Sequence, residues 1–290
     1  MPILPALATQ FQSLFPNSKH GQERARWFML TLQAILLPIT ASRTSNLLRT
    51  IATLFGVVIG AAKFYTFMAS VKLPWTRVWA VLWRAIPVPL TDGRLLLVLD
   101  DSLNPKTGTQ VFACQRSFDH AAKTHQSRFP WAQTIVTVGL LKVIHGRWCC
   151  LPLAFAFYLR QATLALRCMR LRGRALTFES KFTQAVRLIQ SLAGVLPRAP
   201  ILVVTDSWFG NNGLLKPLRQ ALGCRAHLLS RLRVNAVLHE LPVAMPGRAG
   251  RPRKYGAHLG NVKAMALAPV SYTHLRAHET DSYLVCRLLL

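Results

Sequence analysis

Acidic residues are the scarcest feature of this chain. Ten Asp and Glu stand against 36 Lys and Arg in 290 residues, a formal charge of +26. Most of the positive charge has no partner inside the protein. That excludes a surface of balanced ion pairs and points to a polyanion, whose phosphates would supply salt-dependent affinity. Cysteine is sparse as well. Cys114, Cys149, Cys150, Cys168, Cys224 and Cys286 show no C-x-x-C spacing, which argues against zinc and against a disulfide framework. They read as reduced core thiols of a cytosolic protein. No basic leader precedes an apolar stretch at Met1-Pro2, so no signal peptide is expected. Long apolar runs are missing too. Mean hydropathy is +0.27, yet the best stretch, Ile51 to Ala69, is broken by Lys63. The uncharged part, Ile51 to Ala62, falls short of the ~20 residues a membrane span needs. No membrane partner is expected. Apolar residues do make up 51% of the chain, enough for a sizeable core and against wholesale disorder.

The chain divides by pattern. Residues 1–90 read as helical. Apolar periodicity runs from Arg24 to Leu37 and stops at Pro38. Ser45 to Leu54 forms a second helix with Ser45 as its N-cap. Ala61 to Ala69 forms a third, after a turn at Gly56. Two short helices around a glycine resemble a helix-turn-helix, which makes this a possible DNA-binding region, and an ordinary helical packing module fits equally well. Trp75, Trp79 and Trp83 share one helical stripe, which reads as core. Pro87-Val88-Pro89 marks a linker. From residue 91 to 232 the pattern is α/β. Strands are expected at Leu95–Leu99, Ile135–Val143, Trp148–Phe157, Ile201–Thr205 and His227–Leu229, with a hairpin turn at His145-Gly146-Arg147. Helices are expected at Glu179–Leu196 and Leu214–Leu222. The order is β-β-β-α-β-α-β. Residues 233–269 are basic and loop-like. Gly250-Arg251-Pro252-Arg253-Lys254 resembles the core of minor-groove hooks, although a solvated basic loop explains it as well.

Two of the expected strands carry the chemistry. Leu95 to Leu99 runs into Asp100-Asp101, and Ile201 to Thr205 runs into Asp206. Short apolar runs bounded by polar residues read as strands covered on both faces. A carboxylate at such a strand end sits at the rim of the sheet, where sites form. If the two strands are adjacent and parallel, Asp100 and Asp206 meet. Phosphodiester chemistry needs hard cations on oxygen ligands, so Asp100 and Asp206 are the candidate catalytic and metal-holding pair, and Mg²⁺ or Mn²⁺ is the expected cofactor. Asp101 is expected to support Asp100 from behind or to cap the turn. Lys106, Lys123, Arg128 and Lys142, with Arg251, Arg253 and Lys254, are candidate DNA contacts, each also readable as a solvated charge. Trp131 and Trp208 could wedge between bases, but core packing is the simpler reading.

These residues resemble a known group, the DDE (Asp-Asp-Glu) transposases of bacterial insertion sequences. The strings LVLDDSLNPKTG (97–108), FDHAAKTHQSRFPWAQ (118–133), ILVVTDSWFGNNGL (201–214), HLLSRLR (227–233) and GRPRKYG (250–256) carry the resemblance. It implies an RNase H-like mixed sheet with flanking helices, preceded here by the helical N-terminal region. It implies metal-dependent strand cleavage and strand transfer on double-stranded DNA, at transposon ends and target. It also implies a cytoplasmic, nucleoid-associated location, and a homodimer is possible for the full-length protein. In the resemblance Asp100 and Asp206 are the first two ligands, and the third, a Glu on a later helix, finds no match before residue 269. A non-transposing RNase H-like nuclease and a non-enzymatic basic binder are the alternatives.

The last residues stand apart. VSYTHLRAHET (270–280) and the LVCRLLL ending at Leu290 resemble translated sequencing-library adapter. Residues 270–290 are therefore expected to be a non-native tail and the catalytic core to be incomplete. Glu279 lies in that tail and is not taken as the third ligand. The first 269 residues alone still carry +26.

Overall fold

Helix signals fill the first ninety residues, and the computed structural model forms them. It describes residues 9–37, 43–70, 73–84, 86, 88–167, 169–171, 174–233, 235–243, 253–263 and 285–286. The chain divides into two units, residues 1–88 with 170–174, and residues 89–169 with 175–290.

In the first unit, α1 spans Lys19–Leu36, and the Ser18 hydroxyl caps it by accepting the Gly21 N–H. Helix α2 is Thr44–Phe55. Its N-cap is Arg43, so the expected cap, Ser45, lies inside the first turn. Gly56 ends α2 in the left-handed conformation, φ 62°, which glycine adopts without a Cβ penalty. Helix α3 is Ala61–Met68 and α4 is Trp75–Arg84. Phe28, Ile51 and Phe64 are fully buried at the centre of this unit. Trp83 of the expected tryptophan stripe is buried; the side chains of Trp75 and Trp79 lie outside the described residues.

The second unit is a mixed sheet. Strand β1 is Leu95–Pro105, β2 Cys114–Arg116, β3 Trp131–Ile144 and β4 Arg147–Tyr158. A short helix α5 (Gln161–Leu166) and a longer α6 (Lys181–Ala193) follow, then β5 (Ile201–Thr205), α7 (Asn212–Leu222) and β6 (Ala226–Arg231). Strand β1 pairs antiparallel with β3 and parallel with β5, β5 pairs parallel with β6, and β4 and β2 both lie against β3. Three antiparallel strands followed by two parallel ones, with β1 in the middle and helices between the parallel strands, make an RNase H-like fold. Five strands and two helices sit where the sequence places them. Strand β1 runs further than its apolar part, because residues 101–105 keep pairing with residues 132–136 of β3. The β3–β4 hairpin turns on His145 (φ 48°) and Gly146 (φ 74°), the two positive φ values a type I′ turn requires.

Residues 237–239 (β7) and 258–261 (β8) form a separate antiparallel pair. A two-residue strand β9, Val285–Cys286, adds to the edge of β6 beside Ser230 and Arg231. Tyr272, Leu275 and Leu284, which a foreign tail should leave unburied, lie outside the described residues. Cys114 is buried, but Cys150 and Cys224 are exposed, so not all the thiols are core. Among the described residues no helix is long and apolar enough to cross a membrane.

Candidate active site

The strand parity of β1 decides which carboxylates meet. Leu95, Leu97 and Leu99 are fully buried, while Leu96 and Val98 on the other face are half-buried. Alternation puts Asp101 with the buried leucines and Asp100 on the opposite face. Strand β5 repeats the pattern, with Ile201, Val203 and Thr205 buried. The parallel register ends at Leu99 opposite Thr205. Asp100 and Asp206 therefore follow the last pair side by side and on the same face.

The surroundings of each carboxylate fit that placement. Asp100 Oδ1 accepts the Asp101 N–H at 2.8 Å. Asp206 Oδ1 accepts the N–H groups of Trp208 at 3.0 Å and Phe209 at 3.2 Å, which closes a tight turn after β5. Among the described residues no hydrogen bond occupies the Oδ2 of either. Asp100 is exposed as a residue, but desolvation of its carboxyl raises its pKa above the ordinary 3.8. The negative charges of Asp206 and Asp101 push the same way, while the Asp101 N–H and the Lys181 ammonium oppose them. Asp206 lies close enough to Asp100 to raise its proton affinity, and two carboxylates so placed could offer an oxygen donor set to a hard cation. The fit is partial: among the described residues no third His, Cys, Asp or Glu joins them. Glu179 is paired with Arg187 at 2.8 Å.

Asp101 faces the other way and makes an ion pair with Lys181 at 2.7 Å. The Lys181 ammonium also lies over the Trp208 ring, 4.9 Å from its centroid, and near Tyr158 at 5.3 Å. Trp208 stacks on Phe182 with centroids 5.1 Å apart and planes 8° from parallel. Trp208 remains 40% exposed, so it belongs to the rim of the site rather than to the core. Lys181 was not singled out by the sequence reading. A signal for it existed: a lysine at the first position of a helix opposes the macrodipole and needs a compensating anion.

The candidate DNA contacts scatter. Lys106 follows the end of β1, and Lys123 and Arg128 are exposed on the loop between β2 and β3, at the carboxylate end of the sheet. Lys142 is not with them. It lies five residues beyond Thr137, the partner of Asp100, about 17 Å along the strand. Its ammonium donates to the Leu90 carbonyl at 2.7 Å and to Thr91 Oγ1 at 3.1 Å. Arg253 and Lys254 are exposed next to the β7–β8 pair, and Arg251 lies outside the described residues. Trp131 donates its indole N–H to the Gly108 carbonyl at 2.9 Å. In the helical unit, Lys19, Arg26 and Lys63 border a cleft of about 480 Å³ that also touches Trp27, Ile59 and Glu23. Glu23 is the one acid among the first 88 residues, so this cleft carries excess positive charge.

An RNase H-like sheet with two carboxylates on adjacent parallel strand ends defines a class of nucleic-acid-cutting enzymes that work through divalent metals. A family model described as DDE superfamily endonuclease matches residues 11–283, and the chain belongs to that family. Membership carries nuclease- or transposase-type activity, a DNA substrate and general use of divalent metals. No curated protein and no solved structure matches the chain.

Proposed function

We propose that this chain is the transposase of a bacterial insertion sequence. In this reading Asp100 and Asp206 hold Mg²⁺ or Mn²⁺ for strand cleavage and strand transfer on double-stranded DNA. The observation that carries the reading is their placement on one face, at the ends of the parallel pair β1 and β5, in a chain of the DDE superfamily endonuclease family. When bound, a divalent cation there would activate the attacking oxygen and neutralise the leaving one. The protein's own contribution is orientation. The Asp101 N–H fixes one oxygen of Asp100, and the Trp208 and Phe209 N–H groups fix one oxygen of Asp206. The other oxygen of each carboxylate is left for the cation. Lys106, Lys123 and Arg128, on the carboxylate side, would take backbone phosphates, with Arg251, Arg253 and Lys254 adding a basic loop. Lys142 would act through the Leu90–Thr91 segment it holds. Lys19, Arg26 and Lys63 would give the helical unit a second phosphate-binding face.

With two carboxylates and no third ligand among the described residues, a two-metal site has an incomplete coordination shell. The 290-residue chain is proposed to bind duplex DNA without cutting it, and residues 270–290 are proposed to be foreign to the native protein. The test is Mg²⁺-dependent nicking of DNA that carries the element's ends. A protein supplied with the third acidic ligand should nick, and Asp100→Ala or Asp206→Ala should abolish the activity. Robust nicking by the 290-residue chain, insensitive to Asp206→Ala, would refute the assignment.

A further inference from the structure

We infer that Lys181 is a positioning residue serving both candidate ligands at once. The inference rests on reading Asp100 and Asp206 as the metal-holding pair. Each of those carboxylates has one oxygen held by a main-chain N–H, that of Asp101 for Asp100 and that of Trp208, with Phe209, for Asp206. The side chains of Asp101 and Trp208 converge on one group. Lys181 Nζ donates to Asp101 Oδ2 at 2.7 Å and sits 4.9 Å from the Trp208 ring centroid. A single ammonium, fixed at the start of α6, therefore braces the residue after Asp100 on β1 and the turn after Asp206 on β5.

The brace is held firmly in turn. Ser180 caps α6 by accepting the Thr183 N–H at 3.1 Å, which fixes the helix start that carries Lys181. Phe182, the next residue, stacks flat on the face of Trp208 and meets the fully buried Phe209 edge-on at 5.8 Å. The Lys181–Asp101 pair is only partly exposed, at 20% and 26% of side-chain surface. Partial desolvation makes an ammonium's contact with a carboxylate and with an aromatic ring stronger than at an open surface. Asp101 cannot be a ligand beside Asp100, because alternation turns it to the other face of β1. Its carboxylate instead anchors the lysine. Groups that orient metal ligands from behind typically change metal affinity by about 10–100-fold when lost.

The experiment measures Mn²⁺ binding to the 290-residue protein by electron paramagnetic resonance, without DNA and without reference to turnover. Wild-type protein should show a site that Asp206→Asn removes. Its absence would overturn the metal reading itself, and the inference with it. The deciding variant is the charge-neutral double substitution Asp101→Asn with Lys181→Met, which removes the brace but leaves the net charge of the site unchanged. Mn²⁺ affinity should fall about tenfold, while Lys181→Arg, which keeps both contacts, should stay within about twofold. If circular dichroism shows that the double variant does not fold, Trp208→Leu decides, because it removes the ring's contacts with Lys181, Phe182 and Phe209 but keeps the Trp208 N–H and the Lys181–Asp101 ion pair; it too should weaken Mn²⁺. Wild-type affinity in the folded double variant, or in Trp208→Leu where that variant decides, would overturn the positioning role. Equal losses in Lys181→Arg and the double variant would do so as well.

Discussion

Gly210→Ala should damage the site through a single methyl group. Gly210 ends the turn that begins at Asp206, and its N–H donates to the Asp206 carbonyl at 3.2 Å. A Cβ at Gly210 would stand 2.0 Å from Ser230 Oγ and 2.3 Å from Ser230 Cβ, with the Asp206 carbonyl oxygen at 3.2 Å. Carbon atoms rest about 3.5–4.0 Å apart, so the overlap exceeds an ångström. Rotating Ser230 could move Oγ but not Cβ, which is fixed to β6, and β6 is locked in register with β5 at Thr205 and Ser230. The turn itself must therefore shift and take Asp206 with it. Overpacking of this kind costs about 1–3 kcal/mol. Ser230→Gly alone should cost about 0.5–1 kcal/mol through added chain freedom in a strand. It removes both clashing atoms, so the double variant should be close to Ser230→Gly, a coupling of about 1–3 kcal/mol. The assay is urea unfolding of the four proteins, with Mn²⁺ affinity measured alongside. Gly210→Ala that unfolds like wild type, or a defect that Ser230→Gly leaves untouched, would refute the steric argument.

Further outcomes follow from the same geometry. The raised pKa of Asp100 means that the folded protein binds more protons there than the unfolded chain, so this group's contribution to stability falls as pH rises from 3.8 through the folded-state pKa. Asp100→Asn should therefore raise the urea midpoint at pH 7 in metal-free buffer, and the gain should vanish below pH 3.8; a gain of equal size at both pH values would show that the carboxylate's charge is not the cause. In duplex DNA binding, replacing Lys19, Arg26 and Lys63 together by Gln should flatten the log–log salt dependence by up to about 2.7, at about 0.9 per lost phosphate contact. An unchanged slope in a titration from 50 to 200 mM salt, about the range over which such contacts are read, would remove the helical cleft from the DNA path. Lys142→Gln should instead leave that slope unchanged and lower the thermal midpoint, because its ammonium is engaged with Leu90 and Thr91.

The strand pattern was legible because it is local. Apolar runs at 95–99 and 201–205 bury alternate residues wherever they lie in the sheet, and β5 begins and ends at the residues the sequence indicates. Glycine and proline placed the turns for the same reason: the positive φ of Gly56 and of His145-Gly146 is a property of the chain itself. The two carboxylates could be named from sequence because each ends an apolar run. Which of Asp100 and Asp101 would accompany Asp206 depended on register. Only pairing Leu99 with Thr205 sets the pleats of β1 and β5 in phase, and a slip of one residue would have put Asp101 on the site face instead. Lys181 was invisible because its partners lie 80 residues upstream and 27 downstream in sequence, and its role exists only where the start of α6 meets Asp101 of β1 and Trp208 of the turn after β5. The hold of Lys142 on Leu90 and Thr91 was hidden for the same reason, since a lysine on a strand looks solvated until the segment it holds folds back onto it. By itself, the sequence determined the elements, the charge and the chemistry of the donor groups, because these depend on neighbours along the chain. The tertiary structure alone decided which donors share a face and which cation braces them, because those depend on strand register and on contacts between residues far apart in sequence.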